Sequence, residues 1–319
     1  MTGMTTGNSA ELIRSELWSN QLKEILQDEM MAQRYVTMLD GFPDGDQFTI
    51  PSIGQLQVSD YEEGNSIQYT PMDTGEFTFA IDKYLQSGTS ITRKAQQDSF
   101  YAAQLMGKFV PSMERAIMAH FESTTLATPE AGVSANSNES IDGVEHRWAG
   151  VSGAIGLADF ARARYALKKA NVPDRNLIAI VDPSVEHDIN TLTNLVDVSN
   201  NARWEGIVES GIATGMSFVK NIYGFDVYTS NYLKDVTDSA LPDRADSNVD
   251  FSSVNGKANL FFSADSVASP FVGAWRQTPI VDHEFNKDLQ QDEYAMTARY
   301  GVKLYRPENM VRVITKPTV

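Results

Sequence analysis

The stretch that most constrains this chain runs from Ala95 to Ala127. Phe100, Ala103, Met106, Phe109, Val110, Met113, Ile117 and Phe121 recur there at three- and four-residue steps. That is the helical period, and it lays one apolar stripe along about eight turns. Asp98 and Ser99 suit the N-cap of its most regular part. Pro111 lies inside the pattern. It lacks a donor and crowds the preceding turn, so it predicts a kink or a split. Helices average about three turns, so one this long predicts a spine that links other parts, not a member of a bundle.

The flanks differ in kind. From Ser9 to Leu39 a second helical pattern carries Leu12, Ile13, Leu17, Leu22, Ile25, Leu26, Met30 and Met31. Its apolar stripe has little nearby in sequence to cover it. Two readings stay open: an arm that docks on a neighbouring subunit through residues such as Leu17 and Ile25, or a helix folded on its own core. Turn formers then cluster from Asp40 to Asp46. Period-two pairs follow, Phe48 with Ile50, Leu56 with Val58, Ile67 with Tyr69, then Phe77, Phe79 and Ile81, with a hairpin tip at Glu62 to Asn65. From Gln47 to Asp82 there is no Lys or Arg but six acids: Asp60, Glu62, Glu63, Asp73, Glu76 and Asp82. A long isolated hairpin is marginal in water. Either it is a solvated acidic hairpin or it needs a cationic partner surface.

After the spine, Thr128 to Asn138 reads as a loop, and a compact unit begins near Val151. Asp159–Lys169 is expected as a helix with Phe160, Ala163 and Leu167 inward and Lys168 and Lys169 in its last turn. Leu177–Val181 is an all-apolar run of buried-strand length, and Pro183 suits the opening of the next helix. Phe225–Thr229, Leu260–Ser263 and Met310–Ile314 read as strands, with a polar loop from Leu241 to Gly256. In Ala298–Arg306, Tyr300, Val302 and Leu304 fall on one face, Arg299 and Lys303 on the other.

At 319 residues one or two domains are expected. The formal net charge of −16 disfavours a reader of nucleic-acid sequence or an anionic membrane surface as partner. Zero Cys removes disulfides, thiol catalysis and Cys-ligated zinc. Met1–Ala10 carries neither a basic residue nor an apolar run, so a signal peptide is not expected, and no run approaches the ~20 apolar residues of a membrane span.

Chemistry is hard to find. There is no G-x-G-x-x-G, no G-x-x-x-x-G-K-[ST], no H-E-x-x-H and no G-x-S-x-G. The four histidines, His120, His146, His187 and His283, are scattered. Glu186-His187-Asp188 is the densest polar cluster, but adjacent residues on a helix face different ways. Asp282-His283-Glu284 has the same weakness in a strand. Both read as ordinary surface, and no catalytic residue, metal site or cofactor is expected.

The order of parts says more than any motif. Leu177-Ile-Ala-Ile-Val-Asp-Pro183, Tyr223-Gly-Phe-Asp-Val-Tyr-Thr-Ser-Asn231 and Arg299-Tyr-Gly-Val-Lys-Leu-Tyr-Arg-Pro-Glu308 sit in an arm, hairpin, spine, compact unit and return. In this the chain resembles the major capsid proteins of tailed double-stranded-DNA bacteriophages, with the Hong Kong 97-type or Johnson fold. The resemblance implies an α+β chain divided into an N-terminal arm (1–46), an E-loop hairpin (47–94), a P-domain with the spine helix (95–150), an α/β A-domain (151–275) and returning P-domain strands (276–319). It implies no enzyme and no cofactor. It implies self-assembly as hexamers and pentamers into an icosahedral head around double-stranded DNA held without sequence-specific contacts. Expected partners are a separately encoded scaffolding protein, a portal protein and in some heads a decoration protein, with no membrane. Candidate inter-subunit contacts are Leu17 and Ile25 on the arm and the acids Asp60, Glu62 and Glu63 facing Arg115, Arg299 and Lys303. An arm that docks outward also predicts that deleting residues 1–40 leaves a folded core that fails to form correct closed shells. The rival readings are an encapsulin-type bacterial compartment with the same fold and an acidic cytosolic hydrolase using Glu186-His187-Asp188.

Overall fold

The computed structural model of the chain describes residues 32–39, 47–53, 60, 63, 74–98, 102–191 and 218–317. In chain order its elements are helix α1 (Ala32–Tyr35) and strands β1 (Thr37–Met38), β2 (Gln47–Ile53), β3 (Thr74–Ala80) and β4 (Lys83–Thr92). Helices α2 (Arg93–Asp98) and α3 (Ala102–Ala127) follow, then β5 (Arg147–Ala149), α4 (Leu157–Lys169), β6 (Leu177–Val181) and α5 (Pro183–Thr191). The longer elements after these, with one short strand, are β7 (Phe218–Ile222), β8 (Phe225–Thr229), β9 (Asp235–Val236), β10 (Gly256–Ser263), β11 (Phe271–Asn286), β12 (Gln291–Leu304) and β13 (Met310–Thr315).

The spine is α3, about 39 Å long at 1.5 Å per residue. From Val110 on its stripe is used as the period predicts, whereas the side chains of Phe100, Ala103, Met106 and Phe109 lie outside the described residues. Met113 and Ile117 are buried against Met296 and Ala298 of β12, with Leu85 of β4 at the edge. One turn on, the Phe121 ring lies 5.0 Å from both Trp275 and Tyr300. The split expected at Pro111 does not occur, because α3 continues through it. Pro111 is exposed, so solvent can take the carbonyl that its missing N–H leaves free.

Two sheets carry the fold. The first has the order β1-β11-β12-β4, with β1 parallel to β11 and the long pairings antiparallel. The burial of β4 alternates along all of its 10 residues, the signature of a sheet with one covered face. The spine covers that face; Tyr84, on the other, is exposed. The second sheet has seven strands in the order β5-β13-β10-β6-β8-β7, with β9 pairing β10. Helices α4 and α5 bury Phe160, Leu167, Val185 and Ile189 against one side of it, in a core with Trp148, Val227 and Phe261. Here β6 lies between β10 and β8, which explains why Leu177–Val181 is apolar without alternation.

The sheets cross the boundaries expected from the sequence. Residues on both sides of 150/151 and 275/276 share the seven-stranded sheet, because β5 and β13 pair in parallel and β13 pairs with β10. Strand β4 belongs to the four-stranded sheet, whereas β2 and β3 form a separate hairpin with Phe48 opposite Phe79. Two glycines allow the close approaches at this junction. A Cβ at Gly301 of β12 would lie 2.5 Å from the Ala80 carbonyl oxygen, and one at Gly273 of β11 would lie 2.9 Å from Val36 Cγ1.

Candidate functional site

The junction of arm, spine and hairpin is the first place where polar chemistry is buried. Glu122 is fully buried on α3. Its Oε2 accepts the Ala32 N–H at 2.7 Å and its Oε1 accepts the Tyr35 O–H at 3.1 Å. Burial first, then the Glu122 charge and the bond to it, push the Tyr35 phenol well above its usual pKa. The end of the arm region is therefore folded on its own chain: Ala32, Tyr35 and Val36 are core residues. Leu17, Ile25 and the rest of the expected arm helix before residue 32 lie outside the described residues.

The hairpin base is fixed next. Lys303 Nζ donates to the Thr78 carbonyl at 2.8 Å and sits 4.9 Å above the Phe77 ring. One of the three expected cations is thus held by the hairpin of its own chain. Arg115 is exposed on α3, and Arg299 is half-buried on β12, opposite Tyr84 of β4 in register. Asp60 and Glu63 are exposed, and Glu62 lies outside the described residues.

A second buried node ties the loop after α3 to the seven-stranded sheet, and sequence reasoning missed it. The Arg147 side chain is 1% exposed. It meets Glu130 at 2.9 Å and Asp238 at 2.7 Å, and donates to the Ser137 carbonyl at 2.8 Å. Burial disfavours its charge, but Glu130 and then Asp238 outweigh that and raise its pKa above the usual guanidinium value. Arg312, its register neighbour on β13, donates to the Pro129 carbonyl and makes longer ion pairs, 3.6 Å to Glu130 and 3.7 Å to Glu139. Burial dominates there and lowers the pKa. The available signal was a lone cation inside an apolar run, Met310–Ile314, and another beside Trp148, since such charges are buried only when paired.

His187 and His283, at the centres of the two polar clusters, are both exposed. His187 is exposed on α5, with Nδ1 3.7 Å from Asp188 of the same turn. His283 of β11 pairs across to Asp292 at 3.4 Å and stacks on Tyr294. Among the described residues no group of three or more His, Cys, Asp or Glu is placed to hold a metal ion. No described helix is long and apolar enough to cross a membrane.

Comparison with known proteins gives a consistent answer. A family model described as phage capsid protein matches residues 75–313. No curated protein matches the chain. Among solved structures, a chain from Mycobacterium phage Che8 is similar with a TM-score of 0.68 and 16% identity, over 94% of this chain and 97% of that one. The capsid structure of cyanophage P-SCSP1u gives 0.74 and 14%, over 97% and 94%. The mature capsid of bacteriophage PhiM1 gives 0.67 and 12%, also over 97% and 94%.

Proposed function

The chain belongs to the phage capsid protein family, and from that premise we propose that this major capsid protein assembles as hexamers and pentamers into an icosahedral head enclosing double-stranded DNA. The observation that carries the reading is the match of nearly the whole chain to chains of phage capsid structures, with a TM-score of 0.74 for the cyanophage P-SCSP1u capsid. The mixed α/β fold it shares with them is read here as a Hong Kong 97-type division into N-terminal arm, E-loop, P-domain and A-domain. Under this reading the head is assembled in the host cytoplasm with a separately encoded scaffolding protein, a portal and, in some forms, a decoration protein. Electron cryomicroscopy of purified particles tests it. Closed icosahedral shells with packaged DNA are expected; shells holding protein cargo would favour an encapsulin, and small discrete oligomers an enzyme.

The buried Tyr35 changes where the arm can be cut. A cut after residue 40 removes Tyr35 and two donors to the buried Glu122, so the folded core it leaves is expected to be less stable. Leaving a buried acceptor unsatisfied costs about 1–3 kcal/mol, more for a charged group. A cut after residue 31 spares these contacts. That shorter deletion should keep the wild-type melting temperature yet fail to close shells. Deletion of 1–40 should also melt several degrees lower by calorimetry. Normal shells from the shorter deletion would refute arm docking.

The acidic hairpin, with Asp60, Glu62 and Glu63, is proposed to face a cationic surface on a neighbouring copy that includes Arg115 and Arg299. With Lys303 already engaged by its own Thr78 and Phe77, its part there is to hold the hairpin base. Exposed pairs are each worth only about 0–1 kcal/mol, so many must act together. Screening shortens from about 10 Å at 0.1 M salt to about 3 Å at 1 M. Light scattering across that range should show assembly weakening with salt; assembly indifferent to salt would refute the charge pairing.

A further inference from the structure

We propose that the C-terminal end of α4 and the turn between β7 and β8 form a docking surface for an acidic segment of another protein. The chain carries a formal net charge of −16, yet positive charge gathers here. Arg164, Lys168 and Lys169 belong to α4, and Arg175 stands in the connection that follows it. Asp174 is the only acid between Phe160 and Arg175, and it meets Lys168 at 2.9 Å and Arg164 at 3.2 Å. Exposed pairs of this kind contribute little, so both cations can turn to an incoming carboxylate. Lys169 and Arg175 are exposed and have no ion pair among the described residues.

Two aromatic rings stand out of the same surface. Tyr165 is 60% exposed and Tyr223 is 50% exposed. Tyr165 precedes Lys168 and Lys169 by three and four residues, so the three share one face of α4. Arg164 Nη1 donates to the Tyr223 carbonyl at 2.7 Å, which ties the turn to the helix. The turn has two central residues, Tyr223 with φ +51° and Gly224 with φ +89°. Asn or Asp suits the first of these positions, and a large side chain in the left-handed region is strained. A ring half in solvent does not offset that strain by core packing. Strain held at an exposed aromatic points to a contact outside the chain.

The rings decide the chemistry of the partner. Duplex DNA would engage the cations and leave both rings wet, because its bases are stacked on one another and offer no face to a tyrosine. Tyr and Arg are the residues that concentrate binding energy in protein–protein contacts. A long polyanion also meets the repulsion of the rest of this acidic chain, whereas a short acidic segment touches the patch alone. Position disfavours a second copy. Phe160 of α4 packs with Ala179, Val181 and Phe261, while Phe121 of the spine packs with Ile180, Leu260 and Phe262, which point to the other face of the sheet. The patch thus lies across the sheet from the spine, where Arg115 is proposed to receive a neighbour's acidic hairpin.

Fluorescence anisotropy of the full-length chain with three labelled probes tests this: a glutamate–tyrosine copolymer, polyglutamate and a duplex oligonucleotide. The copolymer should bind most tightly and the duplex least. Lys168→Glu combined with Lys169→Glu should weaken copolymer binding about tenfold or more, with an unchanged melting temperature. Tyr223→Asn places a residue that tolerates the left-handed region in the turn, so it should melt no lower than the parent yet lose part of the preference for copolymer over polyglutamate. Duplex binding as tight as the copolymer's, or copolymer binding unchanged in both variants, would overturn the proposal. Loss of shell assembly in the lysine variant would mean that the occupant is a second copy, and would overturn it too.

Discussion

Arg147→Met is expected to lower the unfolding free energy by about 3–5 kcal/mol, because it leaves buried carboxylates without their cation. Glu130 is 7% and Asp238 11% exposed, and both lose a guanidinium within 3 Å. Against a total stability of about 5–15 kcal/mol this is severe. The measurement is the urea midpoint of the unassembled chain. Arg312→Met should cost distinctly less. Its ion pairs are longer, at 3.6 and 3.7 Å, and its buried Nε has no partner among the described residues. A smaller loss from Arg147→Met than from Arg312→Met would show that the node is not organised around Arg147. The position explains the ranking. Arg147 draws together the loop after the spine through Glu130 and Ser137 and the segment after β9 through Asp238, so two separate stretches depend on one planar fork of donors.

Much of this architecture was legible where one period ran long. The spine stripe, the helix expected at Asp159–Lys169, the Pro183 helix start and the strands at Leu177–Val181, Phe225–Thr229 and Met310–Ile314 all lie where the residues put them. Each is decided by local patterning and a recognisable stop. Pairing was not legible. Nothing in Met310–Ile314 says that β13 lies between β5 and β10, because an apolar strand fits any inner slot. Of the kink or split expected at Pro111, the split was over-read, since Pro in an exposed stretch of a long helix costs a hydrogen bond without ending the helix. The Glu122 contact escaped for another reason. Its partners, Ala32 and Tyr35, are 90 and 87 residues away, and a single Glu in a helix otherwise reads as surface. The acidic hairpin was legible as charge, but which cations serve it depends on Lys303 reaching Thr78 within the same chain, a tertiary fact.

Purified particles boiled in denaturant are expected to run as a single band near 35.3 kDa. Some members of the family this chain resembles weld neighbouring subunits with an isopeptide bond from a hairpin Lys to an Asn. That step needs an unprotonated amine on the loop and a group nearby to take its proton. Residues 47–82 contain no Lys. Lys83 stands in β4, paired in register with Tyr300, and its Nζ lies 3.2 Å from Asp82. Lys94 lies in α2, at the hairpin root beside the spine. Lys303 reaches the hairpin but spends its amine on the Thr78 carbonyl and the Phe77 ring. With zero Cys, disulfides are excluded as well. What remains to hold a shell is buried apolar area, strand pairing and distributed charge, all of which boiling detergent dissolves. A ladder of multimers surviving that treatment would mean that an amine elsewhere in the chain had found an acyl partner, and mass spectrometry of the ladder would identify it.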